Sequence, residues 1–140
     1  MTPAFILPSG ENLTPLLRTD HTRPDRWAAL LACIETPTDA GFQAYVAVLT
    51  DPELEGLTEQ EIRRLPRAND AGSFVLVADV RAQADDDFPI LVMDISGRGR
   101  PSFRVACKCL WAVQNNLSLA NMDWEEFSGA TDTDGVYRGC

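Results

Sequence analysis

The chain has 140 residues, of which 45% are hydrophobic and 24% charged, a composition typical of a folded globular domain that excludes an intrinsically disordered chain. Its formal net charge is −9 at pH 7, so it lacks the excess of lysine and arginine from which proteins draw affinity for nucleic acids and anionic membranes. We therefore expect neither a nucleic-acid partner nor a membrane partner.

The start of the chain and its cysteines indicate where the protein works. Residues 1–8 lack the basic start and apolar run of a secretory signal peptide, and no stretch approaches the roughly 20 apolar residues of a membrane span. The four cysteines, Cys33, Cys107, Cys109 and Cys140, are too few and too unevenly placed for a disulfide scaffold. We expect a cytoplasmic protein with reduced thiols, in which Cys33 and Cys107 are buried and Cys140 is exposed.

The first third of the chain predicts an irregular segment, a strand, a helix and a second strand. Residues 1–13 form the irregular lead-in, and a single domain is expected over 14–140. A short strand is predicted at 16–19. The next apolar residues, at 27, 30, 31 and 34, have the spacing of one helix face, and Pro24 suits a first helical turn. Residues 42–49 have the β-branched and aromatic character of a strand.

The middle of the chain carries the clearest local signals. Thr58 and Glu61 are spaced as a capping box, and Leu57 and Ile62 as a hydrophobic staple, so a short helix should begin here and stop at Pro66. The continuous apolar runs at 74–78 and 90–93 are typical of strands buried on both faces. A glycine-rich turn at 96–101 then predicts a hairpin whose second strand is 102–107.

The last part of the chain predicts two short helices, because apolar residues at 110, 113 and 117 share one face and those at 124 and 127 another. Val136 and Tyr137 either form a last short strand or simply dock on the domain. The elements together predict an α+β fold: a mixed, mostly antiparallel sheet of about five strands, with one main amphipathic helix and short C-terminal helices.

Aspartates follow three of the predicted strands, at Asp20, Asp79 and Asp94. If these strands were parallel, the carboxylates would share one edge of the sheet, where ligands bind in open α/β sheets and a hard cation such as Mg²⁺ could be held. Aspartate is also common at strand ends because it bonds to the backbone of turns, and no glycine-rich phosphate loop accompanies these residues. We favour the turn interpretation.

Other residues form only fragments of metal or catalytic sites. Zinc prefers four cysteine or histidine ligands, and Cys107 and Cys109 have only His21 and two distant cysteines to join them. Residues 132–135 resemble part of a calcium loop but lack the glutamate that completes it. His21 follows Asp20 and could act with it as a base, although neighbouring residues on an extended chain point to opposite faces. We favour a surface histidine and expect no metal and no cofactor.

The polar segment 115–123 is the main candidate for a ligand site. Its asparagine amides both donate and accept hydrogen bonds, and tryptophans flank them with aromatic faces, which suits a small polar or peptide-like ligand. Two arginines could meet acidic groups there, because a guanidinium binds a carboxylate through two hydrogen bonds. The predicted ligand-binding residues are Arg18, Trp111, Asn115, Asn116, Asn121, Trp124 and Arg138.

A structural role is the alternative for the same segment. Ser118, Asn121 or Asp123 would cap the following helix, while the tryptophans anchor it on the core. Capping does not explain the two consecutive asparagines at 115 and 116. They therefore favour a binding role for the segment.

We therefore predict noncovalent binding as the function: a binding or accessory protein that recognises a small molecule, a peptide or a partner protein in a cleft beside the Asn-rich segment. The alternative is a small cofactor-independent enzyme of bacterial specialised metabolism, in which Asp20, Asp123 or Asp134 acts as general acid or base. Convergence of these carboxylates on one concave pocket would favour the enzyme.

Several strings of this chain recur in one family. They are Leu16–Asp20, Trp27, Gly41–Phe42, Phe74–Asp79, Phe103–Val105, Trp111, Asn115–Asp123, Phe127 and Asp134–Arg138. Through them the chain resembles a family of small, uncharacterised proteins common in actinobacteria, a domain of unknown function, over most of its length after the lead-in. The resemblance implies no activity. Family members typically end in an aromatic residue where this chain has Cys140.

Overall fold

Six strands form one mixed sheet in the described residues, which are 5–8, 13–68 and 72–140 of a computed structural model. Most of the predicted lead-in at 1–13 lies outside these residues. The strands are β1 (Thr14–Arg18), β2 (Val46–Leu49), β3 (Phe74–Ala78), β4 (Pro89–Asp94), β5 (Phe103–Ala106) and β6 (Val136–Tyr137). Their order across the sheet is β2-β1-β3-β4-β5-β6.

Pairing divides the sheet into a parallel part and an antiparallel part. β1 is parallel to β2 on one side and to β3 on the other. β4 is antiparallel to both β3 and β5, and β6 returns parallel to β5. Long connections carry the chain back across the sheet before β2 and before β3, which parallel pairing requires. The parallel part therefore has the geometry of an open α/β sheet.

Five α-helices and two short 3-10 helices, Pro52–Leu54 and Cys107–Cys109, surround the sheet in the part of the chain that the structure describes. The α-helices are α1 (Pro24–Glu35), α2 (Glu59–Arg63), α3 (Val80–Ala84), α4 (Leu110–Ser118) and α5 (Trp124–Ser128). Local chemistry explains where they begin. Pro24 occupies the first turn of α1, and the predicted capping box of Thr58 and Glu61 is confirmed at α2. The Asp79 side chain accepts from the Ala82 N–H and so caps α3.

Side chains point to alternate faces of the sheet along each strand, and both faces carry apolar side chains. Leu16 faces the layer that contains α1, α4 and α5, and the next residue, Leu17, faces the layer that contains α2. Trp124 of α5 is in the first layer and Ile62 of α2 in the second. Every residue of β3 and β4 is buried, as expected for strands covered on both sides.

The predicted α+β fold with a mixed sheet is confirmed, with six strands instead of about five. The predicted excess of antiparallel pairs is not found, since three of the five pairings are parallel. β2 begins at Val46, so the aromatic residues Phe42 and Tyr45 belong to the loop before it. Helix α3 is not predicted from the sequence because its five residues give almost no periodicity; Asp79 is its only clear signal.

The expectation of four reduced cysteines is wrong for two of them. Cys109 and Cys140 form a disulfide, so Cys140 is not a free thiol. β6 lies beside β5 and brings the chain end next to the turn at Cys107–Cys109, which follows β5 directly. Cys33 and Cys107 are free; Cys107 is buried as expected, whereas Cys33 is partly exposed.

Candidate functional site

The parallel strands β1 and β3 end side by side, and an aspartate follows each of them. Asp20 lies two residues beyond β1, and Asp79 comes directly after β3. The chain passes from β1 to β2 over one face of the sheet and from β2 to β3 over the other, an arrangement in which ligands bind at the carboxyl ends of the strands. Asp94 ends the antiparallel β4, where the backbone N–H groups of Ser96 and Arg100 donate to it. We call the region of Asp20 and Asp79 the carboxyl edge.

Asp20 is buried, and only one of its two carboxylate oxygens is hydrogen-bonded. Its Oδ1 accepts from the N–H and the hydroxyl of Thr22 at 3.1 and 2.6 Å. Its Oδ2 has no partner among the described residues, and neither has Oε1 of the buried Gln83. The Gln83 amide nitrogen donates to the Asp20 backbone oxygen at 2.9 Å, so the two residues are neighbours. Because a buried acceptor without a donor costs stability, this edge favours an added hydrogen-bond donor.

The other polar side chains at the carboxyl edge are paired. His21 Nδ1 lies 2.5 Å from Glu55 Oε2, and His21 Nε2 lies 3.1 Å from the Thr50 backbone oxygen. Glu55 therefore orients the imidazole in place of Asp20, the neighbour that the sequence suggests. Arg18 lies over the Trp27 ring at 4.9 Å and donates from Nε to the Asp20 backbone oxygen. The structure thus places two predicted site residues, Arg18 and Asp20, together.

The first two asparagines of the Asn-rich segment donate to backbone oxygens. Asn115 and Asn116 each donate to the carbonyl one helical turn back in α4, at 2.7 Å. Asn115 also donates to the Gln43 oxygen at 3.2 Å. Gln114 accepts from the Tyr45 N–H at 3.0 Å. These contacts join α4 to the loop that precedes β2.

The residues that follow α4 hold α5 against the core. Trp124 is 2% exposed, and its indole N–H donates to the Pro101 oxygen at 2.8 Å. Asp123 forms a capping box with Glu126 at the start of α5. Asn121 is exposed in the turn between the two helices. Capping and anchoring therefore account for Asp123 and Trp124.

Arg138 binds three carboxylates, those of Asp87, Asp132 and Asp134, each at 2.8 Å. Its hydrogen bond to Asp134 is the main reason why the pKa of that carboxyl is lowered, and the three carboxylates raise the pKa of Arg138. This cluster fastens the segment around β6 to the loop before β4. Arg138 is thus satisfied by acids of its own chain.

Replacing Arg138 with glutamine should raise the pKa of Asp134 towards the ordinary value of about 4. A carboxyl whose pKa is lowered in the folded state adds stability above its unfolded pKa and loses it as the pH falls through the folded value. The stability difference between the wild type and R138Q should therefore be largest at neutral pH and shrink below about pH 4. NMR titration of the Asp134 carboxyl and chemical unfolding at several pH values measure both effects.

Arg81 provides the matched control for this prediction, because its Nη2 lies 3.9 Å from Asp134 and contributes least to the lowered pKa. R81Q should shift the Asp134 titration less than R138Q. An equal shift in both variants would contradict the assignment of the effect to the Arg138 hydrogen bond.

A cleft opens between the end of α1, the loop before β2 and the start of α4, and has a cavity volume of about 30 Å³. Phe42 and Trp111 stack at its rim, with ring centroids 4.6 Å apart and planes 9° from parallel. The contacts of Gln114 and Asn115 with the loop hold this wall in place. We call it the thiol cleft; its lining residues are Cys33, Ile34, Thr36, Thr38, Phe42, Gln43, Ala44, Cys107, Lys108, Leu110 and Trp111.

The two free cysteines meet in the thiol cleft. A hydrogen bond from the Cys107 thiol lowers the pKa of Cys33 to about 7, against the opposite effect of burial. The same hydrogen bond, together with burial, raises the pKa of the Cys107 thiol. Sequence reasoning missed this pair because 74 positions separate the two cysteines and neither lies in a recognisable motif.

The structure distributes eight of the ten predicted site residues over four places, and the other two, Asn116 and Asn121, lie in α4 and in the turn after it. Arg18 and Asp20 lie at the carboxyl edge, Trp111 and Asn115 at the thiol cleft, and Arg138 and Asp134 in the carboxylate cluster; Asp123 and Trp124 hold α5. Only the first two places offer a group that a ligand could use, namely the unpaired Asp20 oxygen and the thiols with their aromatic wall.

A metal centre and a membrane-spanning helix are both missing from residues 5–8, 13–68 and 72–140. No three histidine, cysteine or acidic side chains in these ranges lie close enough together to hold a metal ion. None of the helices there has the length and apolar character needed to cross a membrane.

Comparison with known proteins identifies a family. Residues 13–140 match the family described as Domain of unknown function (DUF6924). Neither a curated protein nor a solved structure matches the chain.

Proposed function

Because the chain belongs to the DUF6924 family, a domain of unknown function, we propose its function from its own geometry: noncovalent binding of a small molecule, or of a peptide or partner-protein side chain, in the thiol cleft. The cleft lies beside α4, which carries the first part of the Asn-rich segment. As further proposals, the protein comes from an actinobacterium, acts in the cytoplasm and needs no cofactor, nucleic acid or membrane.

The single observation that supports this proposal is the combination of an aromatic wall and polar groups around one concavity. The stacked rings of Phe42 and Trp111 offer apolar contact, and Thr36, Gln43 and Lys108 offer polar groups nearby. Binding sites for small ligands typically combine an apolar lining with a few polar groups in this way. Its cavity volume of about 30 Å³ is small, so the cleft suits one small group of a ligand or of a partner's side chain.

Phe42 allows a direct test, because its side chain is 51% exposed and contributes little to the core. A thermal-shift screen of metabolites and peptides should find compounds that raise the melting temperature of the wild type, since a ligand that binds only the native state stabilises it. Phe42→Ala should abolish these shifts. Leu119→Ala, which shortens a residue 69% exposed outside the cleft, should preserve them. Hits that keep their full effect in F42A would overturn the proposal.

The enzyme alternative is favoured by one observation, the buried and unpaired Oδ2 of Asp20. A general acid or base often has such an unusual environment, although structural residues can share it. The same thermal-shift screen tests this alternative: ligands of a catalytic Asp20 should lose their effect in Asp20→Asn and keep it in Phe42→Ala. If no ligand depends on Asp20, its role is to hold the turn after β1 through Thr22.

A further inference from the structure

Two free thiols with different exposure share the wall of the thiol cleft. Cys33 is partly exposed, whereas Cys107 is 4% exposed and has its Sγ 3.9 Å from the Leu30 backbone oxygen. We propose that Cys33 is a nucleophile that exchanges with low-molecular-weight disulfides entering the cleft, and that Cys107 resolves the mixed disulfide that forms. This inference rests on the proposed function, because it names the class of ligand for the same cleft.

The surroundings make the two thiols unequal in reactivity. Because the Cys107 hydrogen bond lowers the pKa of Cys33 to about 7, a larger fraction of Cys33 than of an ordinary cysteine is thiolate at pH 7. Cys107 stays protonated, because its hydrogen bond to Cys33 and its burial raise its pKa. An external reagent should therefore reach Cys33 first, and Cys107 should react only with its neighbour.

The exchange balances without any further reactant. The Cys33 thiolate attacks one sulfur of R–S–S–R, the S–S bond breaks, and one R–S⁻ leaves as the mixed disulfide Cys33–S–S–R forms. Cys107 then loses its proton, its sulfur attacks Cys33 Sγ, and the second R–S⁻ leaves. Two protein thiols are oxidised to a Cys33–Cys107 disulfide, and R–S–S–R is reduced to two R–SH that take up the two protons.

The rest of the cleft fits small disulfides. The cavity volume of about 30 Å³ admits only compact groups next to the reacting sulfur. Lys108 borders the same space and supplies a positive charge near the leaving thiolate, which such a charge stabilises. The Cys109–Cys140 disulfide already fixes the other two cysteines, so the new bond would join only Cys33 and Cys107.

Trypsin cleavage places the two disulfides in different pairs of peptides, so they can be identified separately. Cleavage after Lys108 divides Cys107 from Cys109, so a Cys33–Cys107 bond would link peptide 27–63 to peptide 105–108. The Cys109–Cys140 bond instead links peptide 109–138 to peptide 139–140. The folded wild type is treated at pH 7 with bis(2-hydroxyethyl) disulfide, quenched with acid and mapped without reduction. We expect hydroxyethylthio adducts on peptide 27–63 first and the linked pair 27–63/105–108 later.

Two variants separate the steps. In Cys107→Ala the adduct on Cys33 should accumulate, and its formation should slow about threefold, because loss of the hydrogen bond lowers the thiolate fraction more than it raises the nucleophilicity. In Cys33→Ala peptide 105–108 should stay unmodified. Peptide 105–108 modified in C33A, or a wild type that never links 27–63 to 105–108, would overturn the inference. The peptide map of the wild type tests the inference even if a variant fails to fold.

Failure here can be told apart from failure of the proposed function. Noncovalent hits from the thermal-shift screen are measured on Cys33→Ala in parallel. If they bind while the link never forms in the wild type, only the thiol exchange is wrong. If the binding of these hits is also unaffected by Phe42→Ala, the proposed binding site is wrong as well.

Discussion

Replacing Cys140 with serine should lower the free energy of unfolding by about 3 kcal/mol and the melting temperature by about 10 °C. The Cys109–Cys140 disulfide closes a loop of 31 residues, which restricts the unfolded chain and also fixes the end of the chain against the turn after β5. Chemical unfolding of the wild type and C140S under non-reducing conditions measures the difference.

The same experiment in a reducing buffer provides the control. Once the disulfide is reduced, the wild type and C140S should unfold at the same denaturant concentration. Equal stability of the two proteins before reduction would show that the bond does not form in solution.

Replacing Asp79 with alanine should destabilise the protein by about 3 kcal/mol, because the change leaves a partly buried arginine without its partner and removes a helix cap. The Asp79 carboxylate binds Arg104 through two hydrogen bonds of 2.7 and 2.9 Å and also accepts from the Ala82 N–H at the start of α3. The side chain of Arg104 is only 15% exposed. Urea unfolding of the wild type and D79A measures the loss of unfolding free energy.

Asp85 is the matched control for this prediction. It pairs with Arg81 at 3.3 Å, but both side chains are well exposed, at 50% and 39%. Asp85→Ala should therefore cost less than about 1 kcal/mol. The double variant D79A/R104M should recover part of the D79A loss, since it leaves no unpaired charge. Similar losses of unfolding free energy in D79A and D85A would contradict the claim that burial makes the Asp79–Arg104 pair more important for stability.

The elements that the sequence predicts correctly are those with local causes. Thr58 and Glu61 are three residues apart, so their capping box is visible in the sequence and confirmed in the structure. The apolar runs of β3 and β4 indicate central strands because covering both faces of a sheet leaves no polar alternation. Helix α3 has no such signal, because Asp79, which caps it, is a residue type equally common in turns.

The strand order and the disulfide depend on contacts between distant segments. Parallel pairing of β1 with β3 joins Leu16 to Leu76, and no pattern in either strand specifies its partner. The Cys109–Cys140 bond requires β6 to lie beside β5, as it does where Tyr137 pairs with Val105. Spacing along the chain could not show that these two cysteines are neighbours.

The candidate site was predictable only in part. Of the residues predicted to bind a ligand, Trp111 lines the thiol cleft, and Asn115 donates to Gln43, which lines it. Their partners come from the other half of the chain, since Phe42 stacks on Trp111 and Gln43 accepts from Asn115. Cys33 and Cys107 are the pair that we propose to react, and their proximity depends on how α1 packs against the end of β5.

Mapping of bound small molecules by NMR tests most directly whether the thiol cleft is the functional site. Compounds that raise the melting temperature are titrated into isotope-labelled protein while the backbone amide resonances are followed. We predict that the largest shifts cluster at residues 36–44 and 107–111. Shifts that cluster instead at residues 19–22 and 79–83, around the carboxyl edge, would contradict the assignment of function to the cleft.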